Sequence, residues 1–139
     1  MARAEWRWSD PAGIIARMEL HYLDFDISED DDGAAVFDAM ASVGASQLPA
    51  LWAEVSAVLA WGYREFPQAR APLDEGGEWD YLLEGATEVR TPQSLDFDPY
   101  TATLTATSGV PAPARHAITL SISGTPGFSE AFRAHFGIA

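Results

Sequence analysis

Residues 46–66, SQLPALWAEVSAVLAWGYREF, decide the fold that this sequence predicts. Their apolar residues recur every three or four positions, as they do on one face of an α-helix. These residues are Leu48, Leu51, Trp52, Val55, Val58, Leu59, Tyr63 and Phe66. Ser46 is the predicted N-cap, and Pro67 stops the helix after Phe66. A helix with so wide an apolar stripe, Trp52 included, needs a sheet or a second helix to cover it.

Alternating apolar and polar residues predict two strands before this helix. The first strand is residues 18–27, MELHYLDFDI. The second is residues 34–43, in which Phe37, Ala39, Ala41 and Val43 face inward. The segment between them, residues 28–33 with the sequence SEDDDG, is a solvated turn. The two strands are therefore expected to form a β-hairpin.

The second half of the chain predicts four more strands and a closing helix. Strands are expected at residues 78–84, 94–97, 102–106 and 116–123. Asp98 and Pro99 suit a turn between the middle two, so these form a second hairpin, with Leu104 and its neighbours Ala102 and Ala106 turned toward the core. The closing helix is residues 126–136, with Thr125 as its N-cap and Gly137 just past its end.

The order of these elements predicts an α+β domain. Two strands and a helix are followed by three or four strands and a last helix, without the alternating βα units of a parallel sheet. We therefore expect an antiparallel sheet of about five or six strands with both helices packed on one face. Residues 18–139 form a single domain. Residues 1–17 differ in character and are either an N-terminal arm or a mis-annotated extension, in which case natural translation starts at Met18.

Charge is the most unusual property of the composition. The chain has 21 acidic residues against 8 basic ones, all of them arginine, for a formal net charge of −13. Most of the excess lies between Glu19 and Asp98. Such a field repels nucleic acid and anionic membrane surfaces and attracts a basic protein or a cation. Solubility alone is the simpler explanation for the same charge.

The composition also excludes several kinds of chemistry. The chain has no cysteine, which excludes a disulfide framework, a thiolate nucleophile and a zinc site with sulfur ligands. Zinc-protease and serine-hydrolase motifs and phosphate-binding glycine loops are missing as well. No catalytic residue, metal ligand or cofactor is predicted. Because the sequence has neither a membrane-spanning apolar run nor the apolar region of a secretory signal, we expect a soluble cytoplasmic protein.

Two acidic clusters are candidate binding sites. The first, residues 24–32, does not fit an EF-hand loop, because Ser28 and Ala39 fall where the loop needs carboxylates. This cluster is therefore either an irregular, weak cation site or a solvated turn. The second cluster comprises Asp74, Glu75, Glu78 and Asp80, around two glycines and Trp79. It is either a polar binding site, able to perform acid and base chemistry, or a solvated loop entering a strand.

Trp61 is the remaining candidate residue. It lies off the apolar stripe of the helix at 46–66 and next to Gly62. It is either an exposed aromatic that anchors a partner or a residue packed against the N-terminal arm or the loop at 67–77.

Several segments together resemble a known family. They are LDFDISEDDDG, FDAMASV, VLAW, PLDEGGEWDY and SGTPGFSEAFRAHFG. They resemble a family of small acidic bacterial proteins with no assigned function, over roughly residues 18–137. The resemblance implies no activity, cofactor or catalytic residue, and it favours a translation start near Met18.

The sequence leads to three hypotheses about function. The first is a non-enzymatic bacterial protein that binds a basic protein partner, as immunity proteins and inhibitors do. The second is a small hydrolase or lyase that uses carboxylates of residues 74–80, in a cleft near Tyr81 or His21. The third is a structural adaptor domain, for which the sequence leaves a homodimer open.

Overall fold

The computed structural model describes residues 18–139, so the predictions for residues 1–17 lie outside the described residues. The elements, in chain order, are β1 (Asp26–Glu29), β2 (Ala35–Gly44), α1 (Leu48–Glu65), β3 (Trp79–Glu88), β4 (Gln93–Asp98), β5 (Thr103–Ser108), β6 (Arg115–Gly124) and α2 (Pro126–Phe136). Two short 3-10 helices, Ala45–Gln47 and Leu73–Glu75, lie between them. The predicted α+β class and the predicted order of elements are confirmed.

The strands divide into two antiparallel sheets. The main sheet has four strands in the order β1-β2-β6-β3, and β4 and β5 pair with each other in a separate hairpin. The structure therefore has a sheet of four strands and a separate pair of strands, where the sequence predicted one sheet of five or six strands. Prolines at 92, 111 and 113 interrupt the connection between the two sheets, because proline cannot donate a ladder hydrogen bond. The prediction that Ala102, Leu104 and Ala106 face the core is wrong, since all three are exposed.

The core lies between one face of the main sheet and the two helices. Phe37, Leu120 and Trp79 supply it from three neighbouring strands, and all are fully buried. The register places Phe37 opposite Ile122 and Ile122 opposite Tyr81, so the inward side chains form continuous rows. Both helices are thus on one face, as predicted, and the other face of the main sheet has no described helix on it.

The buried face of α1 differs from the predicted one. Trp52 was expected in the core but is 58% exposed, whereas Trp61 is only 5% exposed. The Trp61 ring stacks on the His135 ring at 5.4 Å, and it meets the Phe128 and Phe136 rings edge-on at 5.7 and 5.5 Å. Because α2 packs against this side of α1, the helix is rotated away from the stripe that its sequence pattern suggests.

The start of the described chain is not the strand that was predicted for 18–27. Only Asp26 and Ile27 of that segment belong to β1. The segment before them is held by Glu54 of α1, whose buried carboxylate accepts hydrogen bonds from the backbone N–H groups of residues 21, 22 and 23, at 2.8, 3.0 and 2.8 Å. A side chain therefore takes the place of the neighbouring strand that these amides would otherwise need.

The two helices begin in different ways. The predicted N-cap of the first helix, Ser46, lies instead in the short 3-10 helix before α1, and Gln47 at the N-cap position forms no side-chain capping bond. In α2 the prediction is confirmed. Thr125 Oγ1 accepts a hydrogen bond from Phe128 N at 3.4 Å, and Gly137 ends the helix at φ 65°.

Replacing Glu54 tests the role of its carboxylate. We expect Glu54→Ala to lower the free energy of unfolding by about 3 kcal/mol, because three amides in and near the core lose their acceptor. Urea denaturation measures this loss. The control Glu130→Ala, at an exposed position of α2, should change stability by less than about 0.5 kcal/mol. Equal effects of the two substitutions would refute the role of Glu54.

Replacing Gly62 tests the packing between α1 and β3. A Cβ at position 62 would lie 2.6 Å from Cη2 of the buried Trp79 ring, which is closer than carbon atoms pack. We expect Gly62→Ala to destabilise the protein by about 1–3 kcal/mol, through displacement of that ring. Gly127→Ala is a matched control, because Gly127 is also helical but has open space around it. There, alanine should be neutral or stabilise by up to about 1 kcal/mol.

Candidate functional site

The structure does not join the acidic residues predicted at 74–80 into one site. Asp74 and Glu75 lie in the second 3-10 helix, and both are exposed, as is Glu78. The two glycines between them have structural roles. Gly76 has φ +94°, and a Cβ at Gly77 would lie 1.9 Å from the carbonyl oxygen of Ala71. These glycines therefore allow the backbone to turn and to pass close to residues 69–71.

Asp80 and Trp79 of the same predicted site are engaged within the fold. The Asp80 carboxylate accepts hydrogen bonds from Arg70 Nε and from Tyr81 N, both at 2.9 Å. Trp79 is 1% exposed, and its Nε1 has no hydrogen-bond partner in the described part of the chain. Within residues 18–139 no group of three or more histidines and carboxylates could hold a metal ion.

The acidic turn at 28–33 closes the hairpin between β1 and β2. Asp30 Oδ1 accepts hydrogen bonds from the backbone N–H groups of Asp32 and Ala34, at 2.9 and 3.0 Å. Gly33 adopts φ +91°. This is a turn stabilised by its own aspartate, which matches the simpler of the two interpretations of the sequence.

A pair of tyrosines beside Asp80 forms a cluster that the sequence did not predict. The hydroxyl groups of Tyr63 on α1 and Tyr81 on β3 are 3.0 Å apart. Arg70 lies with its guanidinium carbon 4.0 Å from the centre of the Tyr81 ring, and its Nη1 donates to the Tyr63 hydroxyl at 3.3 Å. The cluster connects the loop at 67–77 to the edge of the main sheet.

The hydrogen bond between the two hydroxyls shifts the pKa values of Tyr63 and Tyr81 in opposite directions. It lowers the pKa of Tyr63 below the ordinary value of 10.0, and the Arg70 guanidinium lowers that pKa further, against an opposing effect of burial. The same hydrogen bond, together with burial, raises the pKa of Tyr81. Tyr81 is therefore the donor as the pH rises, and Tyr63 is the phenol that ionises first.

Titration of the phenols tests this arrangement. We expect Tyr81→Phe to raise the pKa of Tyr63, because the phenolate loses its donor, while Tyr63→Phe removes the first ionisation. Ultraviolet absorbance of the phenolate measures both. Tyr100→Phe is the control, because Tyr100 is 97% exposed at the end of the β4–β5 hairpin. An unchanged first ionisation in Tyr63→Phe would refute the assignment.

The second face of the main sheet has no described helix packed on it. We define the open sheet face as the outward residues of its four strands, which alternate with the buried ones. Its acidic members are Asp26, Asp38, Asp80, Glu84 and Glu88. Three small hydroxyl residues of β6 run down its centre: Thr119, Ser121 and Ser123. Arg115 lies at one end, where its Nη2 donates to the Ser42 carbonyl at 2.7 Å.

Two carboxylates of the open sheet face are direct neighbours. Asp26 of β1 and Asp38 of β2 are partners in the antiparallel register, and both are exposed. Cross-strand partners have Cβ atoms about 5 Å apart, and like charges at such positions are destabilising. The ion pairs between described residues join Arg64 with Glu65, Arg70 with Asp80 and Arg133 with Glu29, and none of these includes Asp26 or Asp38.

Comparisons with protein-family models, with known proteins and with solved structures find no match. In residues 18–139, no helix is both long and apolar enough to cross a membrane.

Sequence reasoning missed the open sheet face for a physical reason. Alternation predicted which residues of each strand are polar, but Asp26 was placed in a strand that began at residue 18. Its pairing with Asp38 depends on the register of the hairpin, which the turn at 28–33 sets. The prediction that Trp61 is an exposed anchor is also wrong, because α2 covers it. Trp61 is packed, but the rings against it belong to α2 and to Phe66 rather than to the predicted loop at 67–77, and the predicted contact with the N-terminal arm lies outside the described residues.

Proposed function

We propose that this protein is a non-enzymatic binding domain whose open sheet face engages a basic protein. The observation that carries the proposal is the direct pairing of Asp26 with Asp38. Two adjacent carboxylates without a described cation beside them cost the free protein stability. A partner that places an arginine or lysine between them would recover that cost on binding.

The chemistry of the whole face supports a protein rather than a metal ion as the ligand. Its carboxylates are spread over three strands and are separated by the hydroxyl residues of β6. Met40 and Leu82 add apolar area, at 70% and 61% exposure. Apolar area within a charged surround is typical of a protein interface. Nucleic acid and anionic membranes do not suit a chain with a net charge of −13.

The geometry does not favour the alternative of a carboxylate hydrolase or lyase. That hypothesis depends on Asp74, Glu78 and Asp80 meeting in a cleft. In the described structure the first two point into solvent, and the third is paired with Arg70. The proposed domain would act as an immunity protein or an inhibitor acts, by covering a basic surface of its target.

Neutralising the aspartate pair tests the proposal. The tagged protein is incubated with lysate of its native host at low and moderate salt, and retained proteins are identified and quantified by mass spectrometry. We expect one stoichiometric basic protein that is lost as salt rises. The variant Asp26→Asn with Asp38→Asn should bind it about tenfold more weakly, because the two adjacent charges that the partner's cation would contact are gone.

The control variant is Asp74→Asn with Glu75→Gln, which removes the same charge from the exposed 3-10 helix. Binding equal to that of the unmodified protein is expected. The aspartate variant should also have a slightly higher urea midpoint than the unmodified protein, because the repulsion is relieved. Equal retention of the partner by both variants would sink the proposal, since general negative charge would then be enough.

A further inference from the structure

A long β-ribbon extends from the main sheet, and every residue of it from 82 to 113 is exposed. We call residues 82–113 the arm, a name that from here on does not refer to the N-terminal residues 1–17. The ladder of β3 and β6 runs to its base, and hydrogen bonds from Ala112 N to Arg90 O at 2.7 Å and from Gly109 N to Pro92 O at 2.8 Å continue it. The β4–β5 hairpin forms its end, about 30 Å beyond Glu88 at the usual rise of a strand.

The two faces of the β4–β5 hairpin differ in polarity. The register places Leu95 opposite Ala106 and Phe97 opposite Leu104, all on one face. We call Leu95, Phe97 and Leu104 the tip patch. Each is about 60% exposed. The other face carries Asp96, Asp98 and threonines. A two-stranded hairpin by itself is marginally stable in water, and this alternation is typical of a hairpin with one face covered.

A second apolar surface lies at the base of the arm, on the helix side of the sheet. Here Leu48 and Trp52 of α1 line a cavity of about 230 Å³ together with Thr87 and His116. We call these four residues the root patch. The Thr87 hydroxyl and His116 Nδ1 are 3.3 Å apart, and Trp52 is 58% exposed. No carboxylate from the described part of the chain lines this cavity.

We propose that the tip patch of one copy of this chain docks on the root patch of a second copy, with two arms running antiparallel in a two-fold dimer. Charge is the first argument. The chain carries −13, yet neither patch contains an acidic residue, and Asp96 and Asp98 point away from the tip patch. A basic partner would be met by carboxylates, whereas a like-charged second copy requires surfaces without them.

Length and area are the further arguments. An antiparallel arrangement places each tip beside the base of the other arm, so one geometry covers both patches at once and closes with two-fold symmetry. About half of the 32 arm residues, together with the root patch, give roughly 20 residues on each copy. That number is typical of a standard-sized interface. The open sheet face lies on the other side of the sheet and stays free in each copy.

The molar mass in solution tests the dimer. Light scattering on a sizing column should give twice the chain mass for the unmodified protein, and the chain mass for Leu95→Ser with Phe97→Ser and for Trp52→Ser. Met40→Ser is the control, because it removes an apolar residue that is at least as exposed from the open sheet face, and it should remain a dimer. Circular dichroism shows that the variants are folded. If the unmodified protein is a monomer, or if Trp52→Ser remains a dimer, the proposed contact between tip patch and root patch is overturned.

Cross-linking distinguishes tip-to-root contact from tip-to-tip contact. Because the chain has no cysteine, thiols can be placed at will. Tyr100→Cys and Thr87→Cys together put one thiol at each end of the arm, too far apart to react within one chain. A short bismaleimide should link this double variant into covalent dimers and leave each single variant unlinked. Linking of Tyr100→Cys alone, or no linking of the double variant, overturns the proposal.

Discussion

The contact between the Trp79 ring and α1 is the constraint on which the rest of the structure depends. Gly62 provides the space for it, since any side chain there would meet the ring. The ring also stacks on Phe128 of α2 at 5.4 Å with an interplanar angle of 6°. One side chain at the edge of the main sheet therefore connects β3 to both helices. It fixes both helices on one face and so leaves the other face open.

The division between the two faces explains how an acidic chain keeps a stable core. The core face is made of apolar and aromatic side chains, and the buried Glu54 carboxylate is stabilised there by hydrogen bonds from three backbone N–H groups. The other acidic residues between 18 and 139 are exposed, except Asp80, which is half-buried and paired with Arg70. On the open sheet face they lie closer together than stability alone would favour, and this is the feature that connects the fold to the proposed binding of a basic protein.

The arm is subject to a different constraint. All of its residues are exposed, so the arm buries less area than the body of the domain and adds less to folding of the isolated chain. Solubility does not require an alternation of apolar and polar residues, yet the β4–β5 hairpin sorts the two kinds onto opposite faces. The helix-side residues of the arm and the open sheet face lie on opposite sides of the sheet, which would let the proposed self-association and the proposed partner binding coexist in one small domain.

Much of the fold was predictable from residue patterns. The strands predicted at 34–43, 78–84 and 116–123 and the capping residues of α2 depend on local patterns, and the structure confirms them, although β3 continues to Glu88. The strand predicted at 18–27 was wrong because a distant carboxylate, Glu54, supplies the acceptor that a neighbouring strand would supply. The prediction of which face of α1 is buried was wrong, because periodicity gives the width of an apolar stripe but not the position of the helix that packs beside it.

The candidate site was less predictable than the fold. The sequence alone determined the composition of the protein: its negative charge, the lack of sulfur chemistry, and which residues of each strand are polar. Only the tertiary structure decided that Asp26 faces Asp38, that Trp61 is buried while Trp52 is exposed, and that β4 and β5 leave the main sheet. These outcomes depend on strand register and helix packing, which join residues far apart in the chain, and no local pattern encodes such distances.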